Sequence, residues 1–428
     1  MKNLRYIVAF LTLLILGSGL LALPAAVRAL PGRYASLLPA PLQALRHTDH
    51  PVTLPTPVAR PTELIVTPAS PAATPTLERS VDPSPTAASS ATPAPTATPS
   101  PTPTATPTAP DRVFLEGGRH ERQGWNNCGP TTLAMALSFW GLDDRQTDIA
   151  PLLKPDPEDK HVGIYQMADY AERRGLRTIV RSGGTLDGLK RLLNAGFPVI
   201  VRTWYVRDAR DQLGHYRLVI GYDNSTQTFD LFDSLYDPPT TMAYDELYEL
   251  WRVFNWSYLV VAPPARWDDV ASLIGPDMED EAMYERALAR IEAEIAAPPS
   301  ACVAYAACSD WVAYGWLTAG TNLTALGRHV EAAHAYDQAR QLGLHYRLTW
   351  YVFGLYESYY EIGRYDDVVG LANATLATAA NLEESYYWRA KARLAQGDTA
   401  SAIGDLETAL RYHRGWQPAT ALLAEIAP

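Results

Sequence analysis

Gln123-Gly124-Trp125-Asn126-Asn127-Cys128-Gly129-Pro130-Thr131-Thr132 is the stretch on which the reading of this chain turns. Pro130 suits the first position of a helix, because the missing N–H is one that a helix start leaves unpaired anyway. Leu133, Ala136, Leu137 and Trp140 then recur at helical spacing until Gly141. Cys128 is thereby placed just before a helix N-terminus, where free N–H groups and the helix dipole favour a thiolate. Gln123, shortly upstream, can donate its amide hydrogens to an oxyanion, with the Cys128 backbone N–H as a second donor.

The elements downstream read as α+β. Leu186 to Ala195 has the pattern of a helix ended by Gly196, and Val199 to Trp204 that of a strand. Gly214 to Tyr222 reads as a second strand, Asp223-Asn224-Ser225 as a turn and Thr228 to Asp233 as the returning strand. His215 and Asp233 can then meet across this hairpin. A cysteine, a histidine and an aspartate from distant parts of the chain supply a nucleophile, a base and an orienter. Asp237, in Tyr236-Asp237-Pro238-Pro239, is a second candidate orienter. The alternation Phe229, Leu231, Asp233 favours Asp233.

Cys128 to Gly141, Ala195 to Val201, Gly214 to Asp223 and Phe232-Asp233 resemble, in that order, the bacteriocin-processing (double-glycine leader) peptidases, cysteine-peptidase family thirty-nine and its stand-alone relatives. The resemblance implies a papain-like fold over residues 111–265, with Cys128 as nucleophile, His215 as general base, Asp233 as its orienter and Gln123 lining the oxyanion hole. Two positions depart from the pattern: Gln123 precedes Cys128 by five residues where six are common, and Asn127 stands where an aspartate is frequent. The exporter-fused members cleave after a double glycine. This chain has no phosphate-binding loop and no multi-span membrane domain, so that preference is not carried over.

The chain has 428 residues, enough for two or three folded units, and a net charge of −11 with a pI near 5.3. That balance offers no basic surface for nucleic acid. Three cysteines are too few for a disulfide scaffold or a closed zinc site. His329-Val330-Glu331-Ala332-Ala333-His334 fails as a zinc motif, because histidines five apart do not share a helix face. No metal or cofactor is implied. Cys302 and Cys308 are readable either as a disulfide or as two buried thiols, and Cys128 is the thiol left over in the first case.

Residues 6–27 hold no charge and are flanked by Lys2, Arg5, Arg28 and Arg33, which reads as a transmembrane anchor or a signal sequence. Residues 51–110 are mostly Pro, Thr, Ala and Ser without an aromatic, the composition of a disordered, semi-rigid linker. An anchor followed by such a stalk places the remainder on the extracytoplasmic side of a cell membrane as a single-pass protein, or outside the cell if the N-terminal segment is cleaved.

Residues 280–428 carry a repeated phrase at Gly327-Arg328-His329, Gly363-Arg364-Tyr365 and Gly397-Asp398-Thr399, with the glycines 36 and 34 residues apart. This resembles tetratricopeptide helical repeats, which have a period of about 34 residues. Met283 to Ile295 reads as a leading helix and Ala419 to Ile426 as a closing one. Of Tyr351, Tyr356, Tyr359, Tyr360, Tyr386, Tyr387 and Trp388, most are expected between helices. The whole implies a thiol hydrolase of a peptide or amide bond, whose repeats recruit a peptide or protein partner. Two other readings stay open: an inactive peptidase-like binding module at the cell surface, and an amidase or acyltransferase on the same fold.

Overall fold

The structure is a computed structural model that describes residues 23–35, 37–39, 42, 53–58, 110–209, 211–305 and 308–427. Most of the expected anchor (6–27) and of the expected linker (51–110) lies outside the described residues. Among the described residues, no helix is long and apolar enough to cross a membrane. Residues 23–35 form two short helices, Leu23–Ala29 and Gly32–Ala35, whose Val27 and Ala35 are buried together with Leu38 just beyond them.

Seven antiparallel strands build the sheet: β1 (Arg112–Phe114), β2 (Arg177–Arg181), β3 (Val199–Val206), β4 (Gln212–Asp223), β5 (Thr228–Phe232), β6 (Thr240–Ala243) and β7 (Tyr258–Ala262). Their order is β2-β7-β3-β4-β5-β6, with β1 added on β4. The long β4 is central, and its alternation divides the core in two. Tyr216, Leu218 and Ile220 face helix α1 (Cys128–Ser138), meeting Leu133, Met135, Ala136 and Leu137. Val219, with Val199 and Val201 of β3, faces α4 (Leu186–Asn194) and α5 (Tyr244–Arg252). Both faces are covered, so these strands read as near-continuous apolar runs rather than as a simple alternation. Helices α2 (Gln146–Leu153) and α3 (Ile164–Arg173) complete the layer beside α1.

After α6 (Trp267–Ile274) the chain is helical: α7 (Asp280–Ala296), α8 (Ser309–Ala325), α9 (His329–Leu342), α10 (Gly354–Glu361), α11 (Tyr365–Thr378), α12 (Glu383–Ala395), α13 (Thr399–Tyr412) and α14 (Gln417–Ile426). Gly327, Gly363 and Gly397, at φ 70°, 74° and 87°, turn the chain within the pairs α8/α9, α10/α11 and α12/α13. The spacing seen in the sequence is thus the spacing of three helix–turn–helix pairs, since only glycine takes this left-handed conformation without cost. Cys302 and Cys308 are disulfide-bonded. The loop they close sits on α5, where the Val303 and Ala304 N–H groups donate to the Glu249 carboxylate.

The helical region shares its core with the sheet. Trp204 of β3 packs against Phe254, Tyr314 and Tyr351. Asn255 and Asn322 exchange two hydrogen bonds at 2.7 and 3.0 Å. Arg347 donates to Asp211 at 2.8 Å and to the Gln212 carbonyl at 3.0 Å. Apart from residues 59–109, the chain forms a single compact unit.

Candidate active site

Helix α1 begins at Cys128 itself, two residues earlier than Pro130 suggests. Proline is tolerated through the first turn, where no N–H is needed for the helix, so Pro130 marks the turn but not its first residue. The loop before the cysteine is held by a group that the sequence did not single out. Buried Gln146 of α2 accepts from the Gly124 N–H at 2.6 Å and Asn127 Nδ2 at 3.0 Å. Its own amide donates to Glu121 Oε1 at 2.8 Å and to the Arg122 carbonyl at 2.7 Å. One side chain therefore fixes both ends of the segment that delivers the sulfur. Gly129 is closely packed, because a Cβ there would lie 3.1 Å from Val162 Cβ.

His215 stands on β4 with its ring buried, and His215 Nε2 lies 2.8 Å from Asp233 Oδ1. Asp233 is the first residue past β5, and its Oδ1 also accepts the Leu235 N–H at 2.9 Å. Its Oδ2 accepts Arg217 Nε at 2.9 Å, and the Arg217 guanidinium also donates to Thr203 Oγ1. His215 Nδ1 is buried without a hydrogen-bond partner, leaving that nitrogen for the thiol. Burial pushes the Cys128 thiol up, but the His215 ring and the Tyr216 and Gly129 backbone outweigh it, so the thiol falls below its ordinary range. For His215, burial pulls down and the Asp233 carboxylate more than restores it, leaving the imidazole above its ordinary value. Asp233 itself, despite burial, is held far below the usual carboxylate range by His215 and Arg217. A lowered thiol beside a raised imidazole is the condition for a thiolate–imidazolium pair.

Gln123 sits beside this chain of contacts on the Asp233 side. Its N–H donates to the Ser234 carbonyl at 3.0 Å and its Oε1 accepts from Ser234 Oγ at 2.7 Å. The amide nitrogen is the end left to donate. Asp237, the second candidate orienter, is away from the ring: it is 95% exposed and pairs with Arg122 at 3.3 Å. Its place beyond the strand end points it to solvent.

Three further residues at the site were missed. Arg217 follows His215 by two and so shares its face of β4, a period-two relation that could have found it. Lys154 is buried with Nζ facing the carbonyls of Trp125, Pro157 and Asp159, within the electrostatic reach of Cys128. Tyr351 arrives from the helical region. Its ring lies 3.2 Å from where a Cβ on Gly214 would be, and its carbonyl accepts from Arg202 at 3.1 Å. Nearby, His161 meets Phe353 edge-on at 5.2 Å and Glu384 at 3.9 Å. Burial, with the nearby Arg202, holds His161 well below its ordinary value, and burial, with Glu383 and Asp159, holds Glu384 well above its own.

Residues 116–259 match the model of the Peptidase_C39 like family. Among solved structures, the chain is similar to the peptidase domain of Streptococcus ComA, described as a bi-functional ABC transporter involved in a quorum sensing pathway. The identity is 19%, the match covers 35% of this chain and 99% of that one, and the TM-score is 0.26. No curated protein matches the chain. Residues 116–259 are thus similar to the Peptidase_C39 like family, and the helical region that follows lies beyond the matched residues.

Proposed function

We propose that the protein is a thiol hydrolase that cleaves a peptide or amide bond through Cys128, His215 and Asp233. The observation that carries this reading is the run of hydrogen bonds from Arg217 through Asp233 to His215, together with a cysteine whose thiol that ring lowers. His215 takes the Cys128 proton, and the thiolate attacks the carbonyl carbon. The Cys128 backbone N–H and the Gln123 amide hold the oxyanion. The imidazolium protonates the leaving amine, and water, deprotonated by His215, releases the acyl group. Arg217 keeps Asp233 ionised and aimed at His215 Nε2.

The helical region is read as three tetratricopeptide-like units. Its dense contact with the sheet supports a part in shaping the cleft, through Tyr351 and Phe353, in addition to recruiting a peptide or protein partner. Residues 6–27 are read as a membrane anchor, or a signal sequence, that leaves the rest on the extracytoplasmic side.

The test is the pH dependence of Cys128 alkylation in the full chain, against His215→Ala. The native thiol is expected to react well below the free-thiol pKa of about 8.5 and the variant only near it. Equal, ordinary titration in both proteins would remove the hydrolase reading.

A further inference from the structure

Residues 53–58, Thr-Leu-Pro-Thr-Pro-Val, belong by composition to the expected linker, yet they lie without regular secondary structure on the helical region. They meet it at a buried network of charges. Arg340 of α9 and Asp367 of α11 pair at 3.0 Å, with side chains only 1% and 2% exposed. Arg364 donates to Asp367 at 2.9 Å and to Asp337 at 3.0 Å, and Tyr359 donates to Asp337 at 2.7 Å. The segment supplies the remaining partners from its main chain. The Pro55 carbonyl accepts from Arg340 Nη2, and the Val58 N–H donates to Asp367 Oδ1 at 3.3 Å. Leu54 packs against the main core, while Thr53, Thr56 and Val58 face solvent.

We infer that the face formed by Arg340 and Asp367 is a receptor site for an extended, proline-bearing main chain, and that Thr53–Val58 is its resident occupant, latching the N-terminal segment to the folded unit. A guanidinium that takes a carbonyl, beside a carboxylate that takes an N–H, reads an extended backbone in one direction, and both bonds are of the charge-assisted, stronger kind. Without the segment, Arg340 Nη2 loses its partner, and Arg340 Nε already has none. Leaving such a group buried and unpaired is costly, which favours occupancy. The prolines reduce the freedom lost on docking.

The consequence concerns the Pro/Thr-rich stretch. The described residues that flank it are both held on the folded unit: Val58 at Asp367 of α11, and Pro110, whose carbonyl accepts from Tyr222 at 2.9 Å. The inference does not depend on the thiol chemistry.

The test inserts a specific protease site within residues 59–109 of the full chain. It also carries Glu158→Ala, because that carboxylate accepts from the Arg33 main-chain N–H at 3.3 Å and pairs with the Arg33 side chain at 3.8 Å. After cleavage in detergent, a C-terminal tag is used to capture the larger fragment. The N-terminal fragment is expected to be retained. Val58→Pro removes the N–H donor at a residue whose side chain is exposed and is expected to lower retention at least tenfold, while Thr56→Ala leaves it unchanged. Release of the fragment with Val58 intact, or equal retention with Val58→Pro, would overturn the latch.

Discussion

At the residue scale, one buried carboxylate organises the site. Asp233 is ionised because His215 and Arg217 share its two oxygens, so its stabilising effect is present above the ordinary carboxylate range and is lost as pH falls towards its depressed folded value. His215 runs the other way: its raised value makes its contribution complete below the ordinary imidazole pKa and lost as pH rises through the folded one. Arg217→Met leaves Asp233 Oδ2 buried without a partner. It is expected to destabilise the fold by about 3–5 kcal/mol in chemical denaturation and to raise the midpoint of acid unfolding. Asp233→Asn keeps the shape but presents the wrong partner to His215 Nε2. On the proposed chemistry it lowers turnover by roughly 10⁴-fold, with substrate KM little changed. The pH–rate profile of the native protein should rise below the usual thiol range and fall above the usual imidazole one, because both shifts widen the window of the ion pair.

At the element scale, β4 is where the sheet, the cysteine helix and the helical region converge. Gly214, immediately before His215, takes a methyl group only if its neighbours yield by a few tenths of an ångström: a Cβ would lie 3.2 Å from both the Phe254 and Tyr351 rings. Gly214→Ala is expected to cost about 1–3 kcal/mol in thermal or chemical unfolding, as overpacking does. It should also slow Cys128 alkylation by shifting the strand that carries His215. The elements themselves were largely legible, since apolar periodicity reports burial. Leu186–Asn194, Val199–Val206, the β4–β5 hairpin and the glycine-turned helix pairs stand where the pattern puts them. The start of α1 was not, because proline is silent about its position within the first turn. Arg217 and Gln146 escaped for a related reason. A buried charged or amide side chain looks like a surface one until its partners are known.

At the scale of the whole molecule, the helical region and the sheet share one hydrophobic core and a set of paired polar groups, among them Asn255 with Asn322 and Arg252 with the Trp311 carbonyl. A peptidase-like domain cut at residue 265 would expose the Trp204, Phe254 and Arg202 surface that Tyr314 and Tyr351 cover. The intact chain is expected to unfold in one calorimetric transition, and a chain truncated at 265 to lose monomeric solubility on size exclusion. Two separated transitions would show that the regions fold independently.

The α+β domain and the helix-pair period were legible in the sequence, which also put forward Cys128, His215 and Asp233, because periodicity and short motifs are local and survive without coordinates. Tertiary structure alone decided that Arg217 clamps Asp233, that Tyr351 closes on Gly214 and that Thr53–Val58 docks on Arg340 and Asp367. Each joins residues that no local pattern relates, through the need of a buried charge, ring or main-chain group to find a partner once water is gone.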